Sequence, residues 1–245
     1  MGLMYVLNVY WVVLFSVGTM GLMLFLDAKT ASEFPPRFDT TGTQAKAVLT
    51  SPWFLGTAIP TVLGLIWTSS FVRRNKIPEQ EHASMVWWLC NMIWFHIGCD
   101  LFSGFFMVMP VLTDLYAVMS PAHKMPRWHE SRAHLDSGYT LELLCEVPLA
   151  FLAFVLFARR SPARDLVEVF AAAVQLAGTV TYYAPGLAKG EAHCWLSWLD
   201  RSCGSVWIIY PLVILGRQLR KAAGPAASSG RKKGPNSNGK AVKAA

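Results

Sequence analysis

Residues 85–112, MVWWLCNMIWFHIGCDLFSGFFMVMPVL, form an apolar run long enough to cross a bilayer and broken near its middle by His96 and Asp100. A helix needs about 20 apolar residues to span the hydrocarbon. Both polar groups are therefore predicted close to the midplane, where an ionisable side chain costs about 3 kcal/mol. Positions four apart stand on one helix face, so the two can address one cavity and each other.

The rest of the composition agrees. With 245 residues, 53% hydrophobic and 15% charged, the chain is too apolar for a soluble domain and too interrupted for one anchor, which predicts a polytopic, all-α membrane helical bundle. The net charge of +7 would suit nucleic acid. Much of the excess, however, lies from Arg217 onwards (Arg220, Lys221, Arg231, Lys232, Lys233, Lys240, Lys243). In a membrane chain such a cluster implies cytoplasmic orientation and contact with anionic lipid, so nucleic acid is not an expected partner. Cys90, Cys99 and Cys145 fall in apolar runs and read as buried thiols. Cys194 and Cys203, near the start of the last run, leave a lumenal disulfide open.

Six spans are predicted. Residues 5–26 make the first, retained rather than cleaved, because no basic residue precedes it and Leu26-Asp27 is a poor cleavage site. A loop over 27–51 carries Pro35-Pro36, and the second span, 52–72, is kinked at Pro60. The third is the run described above, followed by a loop over 113–138. The others cover about 139–158, 165–187 and 195–216, before a polar tail predicted to be disordered. The chain divides into an N-terminal helix and loop (1–51), a membrane domain (52–220) and a basic tail (221–245). The basic segments Arg73 to Lys76, Arg159 to Arg164 and the tail then share one side, which puts both termini in the cytoplasm.

Glu142 and Glu146 are also four apart. Counting 1.5 Å per residue inward places Asp100, His96, Glu146, Gln175, Tyr182 and Trp207 in one layer near the midplane. Asp165 and Glu168, at a helix start, suit the helix dipole, and Asp200 with Arg201 read as structural. Carboxyl groups held apart in apolar surroundings can donate and accept a proton, while the faces of Trp94, Trp207, Tyr182 and Tyr183 can stabilise a cation. Such a layer suits protonation of an olefin or epoxide in a lipid, or the binding of an amphiphilic amine. The loop histidines His123, His129 and His134 do not make an H-E-x-x-H site, and neither a metal nor an organic cofactor is expected.

Several stretches resemble the emopamil-binding protein family, the sterol delta-8, delta-7 isomerases and relatives that share the EXPERA domain. His96 and Asp100 resemble the family's His and acid four residues on. RWHESRAHLDSGY (127–139) resembles its W-K-E-Y-x-x-x-D-x-R-Y segment. In 158–184 Gln175, Gly178 and Tyr182 are in register, and Trp207 to Pro211 resembles the last helix's Trp-x-x-x-Pro. The resemblance covers about 52–220 and implies one N-terminal helix added to a five-helix bundle. It further implies endoplasmic reticulum residence, a sterol or isoprenoid lipid substrate, membrane lipids as surroundings, and a homodimer as an allowed state. Asp100 stands for the family's longer Glu; a gap-free alignment puts Tyr139 at its second Glu, Glu142 at its Thr, and Gly204 at its Asn.

The expected function is an integral-membrane isomerase or cyclase that moves protons on a sterol or other isoprenoid. Asp100 and Glu142 are the expected acid and base pair, with His96 relaying and Trp207 and Tyr182 shaping the cation site. Glu146 takes the place of Glu142 if the alignment carries a gap. The alternatives are a non-catalytic sterol- or lipid-binding protein of the same fold, and a channel or transporter.

Overall fold

The computed structural model describes residues 2–27, 37–188, 190, 201 and 203–224. Among them the protein is an all-α polytopic bundle, the one extended pairing being an antiparallel bridge between Leu26 and Phe38. The helices are α1 (Leu3–Phe25), α2 (Thr43–Leu49), α3 (Pro52–Asn75), α4 (Glu79–Phe105), α5 (Pro110–Met119), α6 (Ala133–Ala158), α7 (Arg164–Ala188) and α8 (Val206–Ala223). Five of them, α1, α3, α4, α6 and α7, are long and apolar enough to cross a membrane. The sixth predicted span is represented by α8 alone, because 191–200, with Cys194 and Asp200, lies outside the described residues.

The boundaries differ from the sequence expectation where local chemistry intervenes. The third span runs over Glu79–Phe105 rather than 85–112. Glu79 and Glu81 extend it at the start, where carboxylates suit the dipole. It ends where Met107 takes a left-handed φ of 54° and Pro110 opens a new helix. The predicted loop at 27–51 contains α2. That at 113–138 contains most of α5, a tight 3-10 turn at Pro121–Lys124 and the first turn of α6, which therefore begins well before residue 139.

Two segments are π-helical, Cys90–Phe105 within α4 and Glu142–Glu146 within α6. The second has a visible cause. Pro148 has no N–H to offer the carbonyl of Leu144 and its ring crowds that oxygen, so the turn before it widens. π turns are uncommon and concentrate at functional sites.

α4 is the axis of the bundle. Of its apolar window 61% is buried, against 22–28% for the other spans, whose outer faces are left for lipid. Met85, Val86, Trp87 and Trp88 of α4 pack with Ala150, Ala153 and Phe157 of α6, Ala171 and Ala172 of α7 and Ile214 of α8. The small alanines let the facing helices approach this row of large α4 side chains.

At one end of the bundle the basic helix ends converge. Tyr5 meets His82 Nδ1 at 2.7 Å, Arg164 meets Glu81 at 2.9 Å, Arg217 meets Glu168 at 2.6 Å and Lys221 meets Asp165 at 3.0 Å. Asp165 and Glu168 thus join interhelical ion pairs rather than merely facing the dipole of α7. At the other end Arg132, fully buried, clamps the connection between α5 and α6. Its Nε donates to Asp136 Oδ1 at 2.9 Å, Nη1 to the carbonyl of His123 at 2.6 Å and Nη2 to that of Gly104 at 2.8 Å.

Candidate functional site: an acid-lined intramembrane cavity

The two π-helical segments face each other across a cavity of about 150 Å³, roughly ten times the space one water needs. Every residue picked out from the sequence lines it: Asp100, Glu142, His96, Glu146, Trp207, Tyr139, Tyr182, Gln175, Trp94 and Gly204.

His96 is the centre of the polar wall. It is 5% exposed, with Nδ1 3.2 Å from Asp100 Oδ2 and Nε2 3.1 Å from Glu146 Oε2. Each ring nitrogen of His96 thus has a carboxyl oxygen within hydrogen-bond reach, which ties the three side chains into one polar group. Asp100 is held further by Tyr116, whose hydroxyl donates to Oδ1 at 2.6 Å. Glu146 is buried and nests against Gly178, where a Cβ would come within 2.5 Å of its Oε1. The residue predicted as an alternative to Glu142 thus lines the same cavity, and it is Glu146 and Asp100 that flank the histidine.

Glu142 is built differently. Its Oε2 is buried without a hydrogen-bond partner among the described residues. Ligand atoms of His96, Asp100 and Glu142 lie within 4.8 Å of one another, a grouping close enough to hold a metal ion. Both ring nitrogens of His96 already face carboxylates, so a metal there would have to displace one of those contacts. The structure thus presents one engaged acid on each side of the imidazole and one acid with an oxygen to spare.

Aromatic rings complete the wall. Trp207 lies edge to face with Phe95 at 4.7 Å and 6.2 Å from the His96 ring, and Tyr182 and Tyr183 meet at 4.7 Å. Tyr139 reaches His123 Nδ1 with its hydroxyl at 3.0 Å. That hydroxyl lies where any side chain on residue 104 would collide with it, which leaves room only for Gly104.

Several participants are absent from the sequence expectation. Tyr116 and His123 come from the segment predicted as loop, and no spacing rule links them to Asp100 or Tyr139. Asn91, which accepts a hydrogen bond from Gln175 at 2.6 Å, was visible as a lone amide in an apolar run. Phe15, Thr19 and Met20 of α1 also line the cavity. Compared with protein-family models, curated proteins and solved structures, the chain matches none.

Proposed function

We propose that the protein is an integral-membrane isomerase or cyclase that acts on a sterol or other isoprenoid by proton transfer through a carbocation-like state. The observation that carries this reading is the coexistence, around one apolar cavity, of Glu142 with an unengaged oxygen and the hydrogen-bonded trio Asp100, His96 and Glu146. In the proposed cycle Glu142, protonated, adds its proton to one olefinic carbon. The cation left on the neighbouring carbon is stabilised by the faces of Trp207 and Tyr182, and a proton leaves an adjacent carbon for Asp100. His96, close to both acids, returns that proton to Glu142, so the double bond has moved and the site is unchanged.

The resemblance to the emopamil-binding protein family supports the same chemistry and residence in the endoplasmic reticulum membrane, while the basic segments gathered on one side favour both termini in the cytoplasm. Tyr139 and Gly204, standing for the family's Glu and Asn, favour a terpenoid other than a delta-8 sterol. A second reading, a sterol- or lipid-binding protein without catalysis, is favoured by one feature: Asp100 is already engaged by both His96 and Tyr116.

Incubation of the purified protein with isoprenoid and delta-8 sterol substrates in deuterated water separates the two. Deuterium incorporation that falls by at least about 100-fold in Asp100→Asn and in Glu142→Gln is the expected result. Saturable binding with no exchange in the wild type would establish the second reading.

A further inference from the structure

Asn91 and Gln175 form a buried amide chain whose polarity is dictated at one end. Asn91, fully buried on α4, donates from Nδ2 to the backbone carbonyl of Trp87 at 3.0 Å. A carbonyl can only accept, so the Asn91 amide cannot be reversed without setting two oxygens face to face. Its Oδ1 must then accept, and it does so from Gln175 Nε2 at 2.6 Å. Gln175 is fixed in turn, by the same argument, and its Oε1 is left over. That oxygen is buried and has no partner among the described residues, on a residue that is 3% exposed and lines the cavity.

Buried carbonyl oxygens of this kind are normally satisfied. One carried by a residue that lines a ligand-sized hollow, with its orientation set two residues back, selects what can complete it. A hydroxyl or N–H group can donate to it; a ketone, ether or ester oxygen would oppose it lone pair to lone pair. We infer that Gln175 is a specificity-determining residue that reads a hydroxyl on the guest, so that the cavity takes an isoprenoid alcohol in preference to the matching ketone. Asn91 acts through Gln175 as its positioning residue. The inference rests on the cavity being a lipid site, as proposed above, but not on any proton transfer there.

The test measures dissociation constants for the full chain in lipid nanodiscs with three probes: a 3β-hydroxysterol, its 3-ketone and its 3-deoxy hydrocarbon. In the wild type the alcohol should bind at least about tenfold more tightly than the ketone, the expected scale of a buried acceptor met or opposed. Gln175→Leu should bring alcohol and ketone together while the hydrocarbon binds as before, which shows the cavity intact. Asn91→Leu frees the Gln175 amide to turn its N–H outward, so the ketone should gain and the alcohol preference should fall to less than about threefold.

Equal binding of alcohol and ketone by the wild type overturns the inference, as does failure of all three probes to bind. A preference that survives Gln175→Leu also overturns it. Should Gln175→Leu lose the hydrocarbon as well, Asn91→Leu decides: an unchanged preference there is equally fatal. Alcohol selectivity without deuterium exchange would leave hydroxyl reading standing and remove only the isomerase reading; exchange without selectivity would do the reverse.

Discussion

Gly178 shows how little space separates the arrangement of acids from its loss. A methyl group there would come within 2.5 Å of Glu146 Oε1, and that carboxyl holds the Nε2 side of His96. Gly178→Ala should therefore push Glu146 away from the imidazole, with about 1–3 kcal/mol of lost stability from overpacking and about 100-fold less proton exchange from misplacement. Thermal melting and the deuterium assay read the two effects; a variant with unchanged exchange would detach Glu146 from the proposed proton transfer. Gly178 was legible in the sequence only as part of a resemblance. His96 and Asp100 stood out because two groups four apart on one helix declare their own proximity. The bonds from Tyr116 to Asp100 and from Gln175 to Asn91 join residues 16 and 84 positions apart, and nothing in local spacing announces them.

Among the elements, the helices themselves were readable from the length of the apolar runs, and their ends were not. The periodicity of an ordinary helix cannot reveal a π segment. Cys90–Phe105 and Glu142–Glu146 were accordingly read as plain helix, although Pro148 marks the cause of the second. The connection after α5 was misread for another reason: its order comes from the Arg132 clamp, a single buried charge that gathers distant carbonyls rather than a repeating pattern. His123 belongs to that cap, fully buried, with Nδ1 on Tyr139. Burial, reinforced by the nearby Arg132 guanidinium, holds its imidazole down at about 3, against 6.5 for the free group. A depressed pKa makes its contribution to stability complete above about pH 6.5 and progressively lost as the pH falls toward 3. The melting temperature in detergent should thus drop between pH 7 and pH 4, and His123→Gln should flatten that slope; parallel curves for the two proteins would refute the assignment.

For the whole molecule, the alternation of spans brings the N-terminal end of α1 and the C-terminal end of α8 to the same basic pole, where Tyr5 meets His82 and Arg217 meets Glu168. Reporter tags at residues 1 and 245 should consequently be protected, or exposed, together in sealed microsomes. A tag between α5 and α6, near Trp128, which is 65% exposed, should show the opposite accessibility. Opposite behaviour of the two terminal tags would remove one membrane crossing. This architecture was largely legible in the sequence, since basic residues and apolar lengths are one-dimensional quantities. The place of α1 was not: only the packing makes Phe15, Thr19 and Met20 part of the cavity wall. That helix keeps 78% of its apolar window unburied, as 22% is buried. α1 thus both lines the chamber and faces outward, and for the lipid guest proposed above occupancy is expected to follow mole fraction among the lipids rather than molarity in the surrounding water.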